Sequence, residues 1–158
     1  MEQDEALRQQ LAKVIEWGEA HADFHAAVKS FPVKLRGRVP AGFPYSAWQL
    51  LEHVRLALWD ILEFTRDARH KSPKWPEGYW PKTAEPPSAD AWDKSVAAIA
   101  DHLKAMRELV TDSSRDLFAP LPHGTGQTLL REVLLVADHN AYHLGQLVLV
   151  RRALGVWQ

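Results

Sequence analysis

The stretch from Leu129 to Leu154 constrains the fold most, because it is apolar along two stripes at once. Leu129, Val133, Val136, Asn140, His143, Leu147, Val150 and Leu154 recur at alternating spacings of four and three, the repeat of one helix face. Leu130, Leu134, Ala137, Ala141, Leu144 and Val148 form a second stripe beside it. A helix apolar on more than one side must be contacted from more than one side. It is therefore expected to be the most buried helix of a bundle, or also to face a dimer partner. Thr128 lies close to its start, and Gly155 marks its end.

Three earlier segments carry the same period. Leu7, Leu11, Val14, Gly18, His21, His25 and Val28 predict a first helix over Asp4 to Ser30. Leu50, Val54, Ala57, Ile61 and Phe64, flanked by Leu51, Leu58 and Leu62, predict a second, from an N-cap at Ser46 to about Asp67. Trp92, Val96, Ile99, Leu103, Met106 and Val110 predict a third. It opens at Ser88, with Asp90 and Asp93 near its positive end.

Phe31 to Pro44, residues 71–89 and residues 111–126 are broken by Pro and Gly and read as long irregular connectors after helices one, two and three. The middle one holds five prolines, yet also Trp75, Tyr79 and Trp80, whose ring area favours burial. It is expected to fold back over the bundle, either covering a pocket or capping a core end. Four amphipathic segments without a convincing strand give an all-α four-helix bundle, read as one domain over residues 1–158.

The formal charge of −1 supplies no basic footprint, so nucleic-acid binding is not expected. The absence of cysteine excludes a disulfide framework, a thiolate metal site and a cysteine nucleophile. The acidic start, Met1-Glu-Gln-Asp-Glu5, is unlike a signal peptide, and no apolar run reaches the ~20 residues of a membrane span. No membrane partner is expected, and the cytoplasm is the expected location. Seven Trp and eight His are generous for 158 residues, and the chemistry is sought there.

His139 and His143 lie four residues apart, one above the other on a helix. Two imidazoles so placed can reach one metal ion, since a Zn–N bond is only about 2.0–2.1 Å long. His53 on the second helix is positioned to supply a third nitrogen. Structural zinc is normally closed by four protein ligands, so three imidazoles with an open place is a catalytic pattern. Nitrogen ligation also suits nickel, iron or copper. Asp138, Asn140 and Gln146 are the candidates for orienting the rings. The competing reading is core histidines with hydrogen-bond partners and no metal, and spacing alone leaves both open.

His21 and His25 form a second His-x-x-x-His on the first helix. They are either solvated at a frayed end, or His21 lines the pocket near the metal. His21 and Glu52 are the candidate proton acceptors, with His21 the candidate catalytic residue. His102 and His123 read as surface residues. Lys34, Arg36 and Arg38 make the first connector cationic, either as a solvated loop or to receive an anionic group at the pocket mouth.

Three stretches resemble the DinB-like family of four-helix bundles, the DinB/YfiT superfamily of small bacterial proteins. Pro44-Tyr-Ser-Ala-Trp-Gln-Leu-Leu-Glu-His53-Val looks like its second-helix histidine segment. Asp138-His-Asn-Ala-Tyr-His-Leu-Gly-Gln146 looks like its fourth-helix double-histidine segment. Trp75-Pro-Glu-Gly-Tyr-Trp-Pro81 resembles a loop of one subgroup. The resemblance implies a divalent metal, zinc, nickel or iron, bound by His53, His139 and His143, and a homodimer. It also implies a thiol-dependent transferase or isomerase using a low-molecular-weight thiol such as mycothiol or bacillithiol.

Two classes of function follow. One is a metal-dependent enzyme acting on a small molecule, by S-transfer, thiol-dependent isomerisation or hydrolysis. The other is a non-enzymatic bundle with a structural metal, in a stress-response or binding role. An open aromatic-lined pocket at the histidines favours the first, and full enclosure favours the second.

Overall fold

A computed structural model describes residues 2–16 and 20–157 of the chain. Among the described residues, five helices run in the order α1 Glu2–Val14, α2 Phe24–Val28, α3 Ala47–Arg66, α4 Ala91–Thr111 and α5 Leu129–Ala153. A short 3-10 turn, Val33–Leu35, interrupts the first connector. The described residues contain no strand, only one isolated bridge between Pro120 and Thr128. The four long helices pack as a bundle in which α3 lies against both α4 and α5.

Local chemistry sets the helix ends. Ser46 caps α3 with a reciprocal pair: its Oγ accepts from the Gln49 N–H, and Gln49 Oε1 accepts from the Ser46 N–H. Thr128 caps α5 by accepting from the Arg131 N–H. Gly155, at φ 73°, takes the left-handed turn that ends α5. Two buried arginines satisfy carbonyls that helix ends leave unpaired. Arg8 donates to the carbonyls of Val110, Asp112 and Arg115 at the end of α4. Arg151 does the same for Ala26 and Ala27 at the end of α2.

Two expectations change. The predicted first helix over Asp4 to Ser30 is two helices. Asp23 accepts from the Ala26 N–H and starts α2 afresh, so the periodic stripe does not run through. Ile15, not Val14, enters the core, and His21 and His25 are exposed. Gly18, the middle of the predicted stripe, lies outside the described residues. Nor is α5 the most enclosed helix. Eleven of the 20 residues of α3 are buried, whereas Leu134, Tyr142 and Leu149 of α5 are at least half exposed. The core instead centres on α3 side chains such as Leu51, Leu58 and Leu62, packed with Trp92 and Ile99 of α4 and Val133 and Val136 of α5.

Candidate metal centre

His53 sits in the middle of α3 and faces α5, where His139 and His143 stand one turn apart. The His53 Nε2 lies 3.1 Å from the His143 Nε2 and 3.1 Å from the His139 Nε2. One nitrogen from each ring falls within 4.8 Å of the other two. His53 and His143 are buried, and His139 is half-buried.

The opposite ring nitrogens fix what those Nε2 atoms can do. The His53 Nδ1 donates to the Tyr79 carbonyl at 2.8 Å. The His143 Nδ1 donates to Gln146 Oε1 at 2.8 Å, and the His139 Nδ1 to Asn140 Oδ1 at 3.3 Å. Each of these partners accepts, so each Nδ1 carries the proton and each neutral ring presents a bare Nε2 lone pair. Three lone pairs then converge with no proton between them. A cation at that point resolves the repulsion, and N···N separations near 3 Å suit two metal–nitrogen bonds of about 2.1 Å. The donor set therefore fits a divalent ion.

Burial keeps the rings neutral. It is the main cause that lowers His53 to about 4, aided by the charges of His143 and His139 and opposed by the Tyr79 carbonyl. His143 is also lowered to about 4, by burial and then by His139, against the Gln146 bond. His139 is lowered by burial, with Asn140 and Asp138 opposing. All three are thus in the ligating form at neutral pH.

The proline-rich connector completes the centre. Trp80 stacks flat on the His53 ring, centroids 3.9 Å apart and planes at 4°, and Tyr45 stacks on the other face of Trp80 at 4.2 Å. The Tyr79 hydroxyl donates to Asp60 Oδ2 at 2.6 Å, and His70 Nε2 lies 2.7 Å from Asp60 Oδ1. The loop is therefore bonded to α3 at His53 and at Asp60. Its rings divide: Tyr79 is buried, Trp80 half-buried, and Trp75 is 65% exposed, contrary to the burial expected of it. A cleft of about 550 Å³ opens above the histidines, bounded by Trp75 and Tyr79 of the loop, Asp60 and Ile61 of α3, and Leu135 of α5.

Other sequence candidates lie elsewhere. His21 is exposed, its Nδ1 against the Ala22 carbonyl, outside the three-histidine group. Glu52 pairs with Arg55 and accepts from Ser95 of α4. Lys34 and Arg36 border a separate groove with Glu85 and Ser88, and Arg36 pairs with Asp93, so the cationic connector does not rim the histidine cleft. Two surface assignments are corrected. His123 is half-buried with its Nε2 2.6 Å from the Phe64 carbonyl, and His102 is half-buried with its Nδ1 unpartnered. Of the orienting candidates, Asn140 and Gln146 reach the rings, while Asp138 is exposed. Sequence reasoning missed the Tyr79 carbonyl, the Asp60 anchor and the Trp80 stack. Only the aromatic content of a proline-rich loop hinted at them.

These features define a class: a helical bundle with three imidazoles from two adjacent helices, gathered under an open cleft. The family model of the DinB superfamily matches residues 16–147, and the chain belongs to that superfamily. No curated protein and no solved structure matches the chain significantly.

Proposed function

We propose that the protein is a metal-dependent enzyme that holds a divalent ion on His53, His139 and His143. The observation that carries this reading is the meeting of three bare Nε2 lone pairs, each ring locked by its own Nδ1 bond, beneath an open cleft. Bound there, zinc, nickel or iron supplies an anionic nucleophile, hydroxide or thiolate, near neutral pH. With no cysteine in the chain, any thiol comes from a low-molecular-weight cofactor or from the substrate. Thiol-dependent transfer or isomerisation, or hydrolysis, are the reactions this chemistry serves. The chain's own residues orient the imidazoles, keep them unprotonated and wall the substrate with aromatic rings. A purely structural ion would favour full enclosure; the half-buried His139 and the adjoining cleft support an open coordination position.

The test is metal content. Wild type is expected to carry one divalent ion per chain, and His139→Ala to lose it with helix content intact by circular dichroism. Equal metal in both proteins would reject the ligand assignment. Turnover of small electrophiles with a panel of thiols then separates transferase from hydrolase chemistry.

The homodimer belongs to the same proposal. Leu134, Tyr142 and Leu149 fall within roughly 80° of arc on α5 at about 3.6 residues per turn, large side chains that this chain leaves uncovered on a face they share with the exposed Asp138 and Gly145. Sedimentation should give a dimer that Leu149→Glu dissociates, and a monomeric wild type would count against it.

A further inference from the structure

We infer that the cleft above the three histidines takes a ligand charged at both ends, with an anionic head for the metal ion and an ammonium group for Asp60. This rests on the reading of the histidines as a metal site and names the class of molecule that site would accept. Helical spacing makes the cleft bipolar. His53 and Asp60 are seven residues apart on α3, so they share a face, with about 10 Å of rise between them. Both line the same cleft of about 550 Å³. Tyr79 spans the gap: its carbonyl accepts from His53 at one end, and its hydroxyl donates to Asp60 at the other. No lysine or arginine lines the cleft. Among the described residues, the partners of Asp60 are the Tyr79 phenol and His70, one on each oxygen. A carboxylate offers about four acceptor sites, so each oxygen keeps room for a further donor. The Asp60 side chain is only 12% exposed, a setting in which a charge-assisted bond is stronger than in water.

The ion sharpens this division. Three neutral imidazoles leave a divalent charge unbalanced, so an anionic head is drawn to the histidine end and offsets part of it. An ammonium beside Asp60 then meets an opposite charge at contact and the remaining positive charge about two helical turns away. Coulomb energy falls as 1/r, so the attraction exceeds the repulsion about twofold or more. A second anionic end would meet Asp60 instead and find no side-chain cation in return. Between the two ends, Trp75 is the ring left for the body of the ligand. Both faces of Trp80 are taken, one by His53 and the other by Tyr45. Trp75 is 65% exposed, 5.5 Å from Tyr79 and 6.5 Å from His53, and offers an apolar chain a flat wall.

The experiment uses zinc-loaded full-length protein at pH 8, where protonated imidazole competes least for Asp60, with zinc content measured first. Three hydroxamates share a zinc-binding head and the same methylene chain and differ only in the end group: 6-aminohexanohydroxamate (ammonium), heptanohydroxamate (methyl) and pimelic monohydroxamate (carboxylate). Calorimetry is expected to give at least about fivefold tighter binding of the ammonium form than of the methyl form, and the weakest binding for the carboxylate form. Asp60→Asn should remove the ammonium form's advantage and leave the affinity of the methyl form as in wild type. His70→Ala breaks another bond of the same loop yet keeps the carboxylate, so the advantage should persist there. Wild-type binding of the methyl or carboxylate form equal to or tighter than that of the ammonium form would overturn the inference. So would an advantage that survives Asp60→Asn, or one lost equally in both variants, which would assign it to loop order rather than charge. Failure to take up zinc, or to bind any of the three hydroxamates, defeats the metal reading itself. Full zinc content and hydroxamate binding with no ammonium preference defeat only this one.

Discussion

Acid should unfold the metal-free protein through its own histidines. His53 and His143 are each lowered from 6.5 to about 4, mainly by burial. The unfolded chain therefore binds protons at these two positions between pH 6.5 and 4, where the native state does not. Stability rises with pH wherever the unfolded state holds more protons, so it must fall as pH drops through this window. Above pH 6.5 neither state is protonated there and nothing is lost; below pH 4 both are, and the loss is complete. Each proton is worth about 1.4 kcal/mol per pH unit, so the two rings together cost roughly 5 kcal/mol by pH 4.5. Against a typical total of about 5–15 kcal/mol, that loss brings the bundle close to unfolding. The depressed carboxyls do not confuse the window. Asp90, held at about 2 by Lys94 and Ser88, and Asp67 and Asp112, held low by their own hydrogen bonds, give up their contribution only below pH 4. The assay is urea denaturation of chelator-treated protein at half-unit steps from pH 7 to 4.5, beside His143→Gln. Wild type should lose stability along the whole series, and the variant less, since His53 remains, with His139 and His102, which burial also lowers, titrating in the same window. A flat profile, or equal slopes in the two proteins, would show that the rings are not held neutral by burial.

Three further outcomes follow from named contacts. Saturating zinc should raise the melting temperature at pH 7, with a gain that shrinks as protons compete for the Nε2 atoms near pH 4; scanning fluorimetry with and without chelator reads it. Ser46→Ala removes the cap of α3 and the 2.6 Å bond from its hydroxyl to the Ala84 carbonyl, and should cost about 2 kcal/mol in urea melts. Asp60→Asn should weaken the loop's anchor by about 1–3 kcal/mol. Burial and the Asp60 bond raise Tyr79 to about 12, so the wild type loses this contribution between pH 10 and 12, and the variant's phenol should ionise earlier in an ultraviolet titration.

The amino-acid sequence determined the bundle and the histidines at its centre. Helices α3 and α5 are legible from end to end, because stripe, cap residue and terminating residue all agree: Ser46 to Asp67 in one, Thr128 to Gly155 in the other. His139 and His143 share a face by helical geometry alone, with no help from the rest of the fold. Tertiary structure alone decided the remainder. Whether His53 meets that pair depends on the packing of α3 against α5, across 86 residues of chain. Its protonated nitrogen is chosen by the Tyr79 carbonyl, a backbone atom that residue identity does not reveal. The predicted first helix ends at Val14 and a new one starts at Phe24, where Asp23 turns its carboxylate to the Ala26 amide, so a stripe of matching period did not make one helix. Periodicity reports which side of a helix prefers to leave water; it carries no information about which atoms of other elements arrive there.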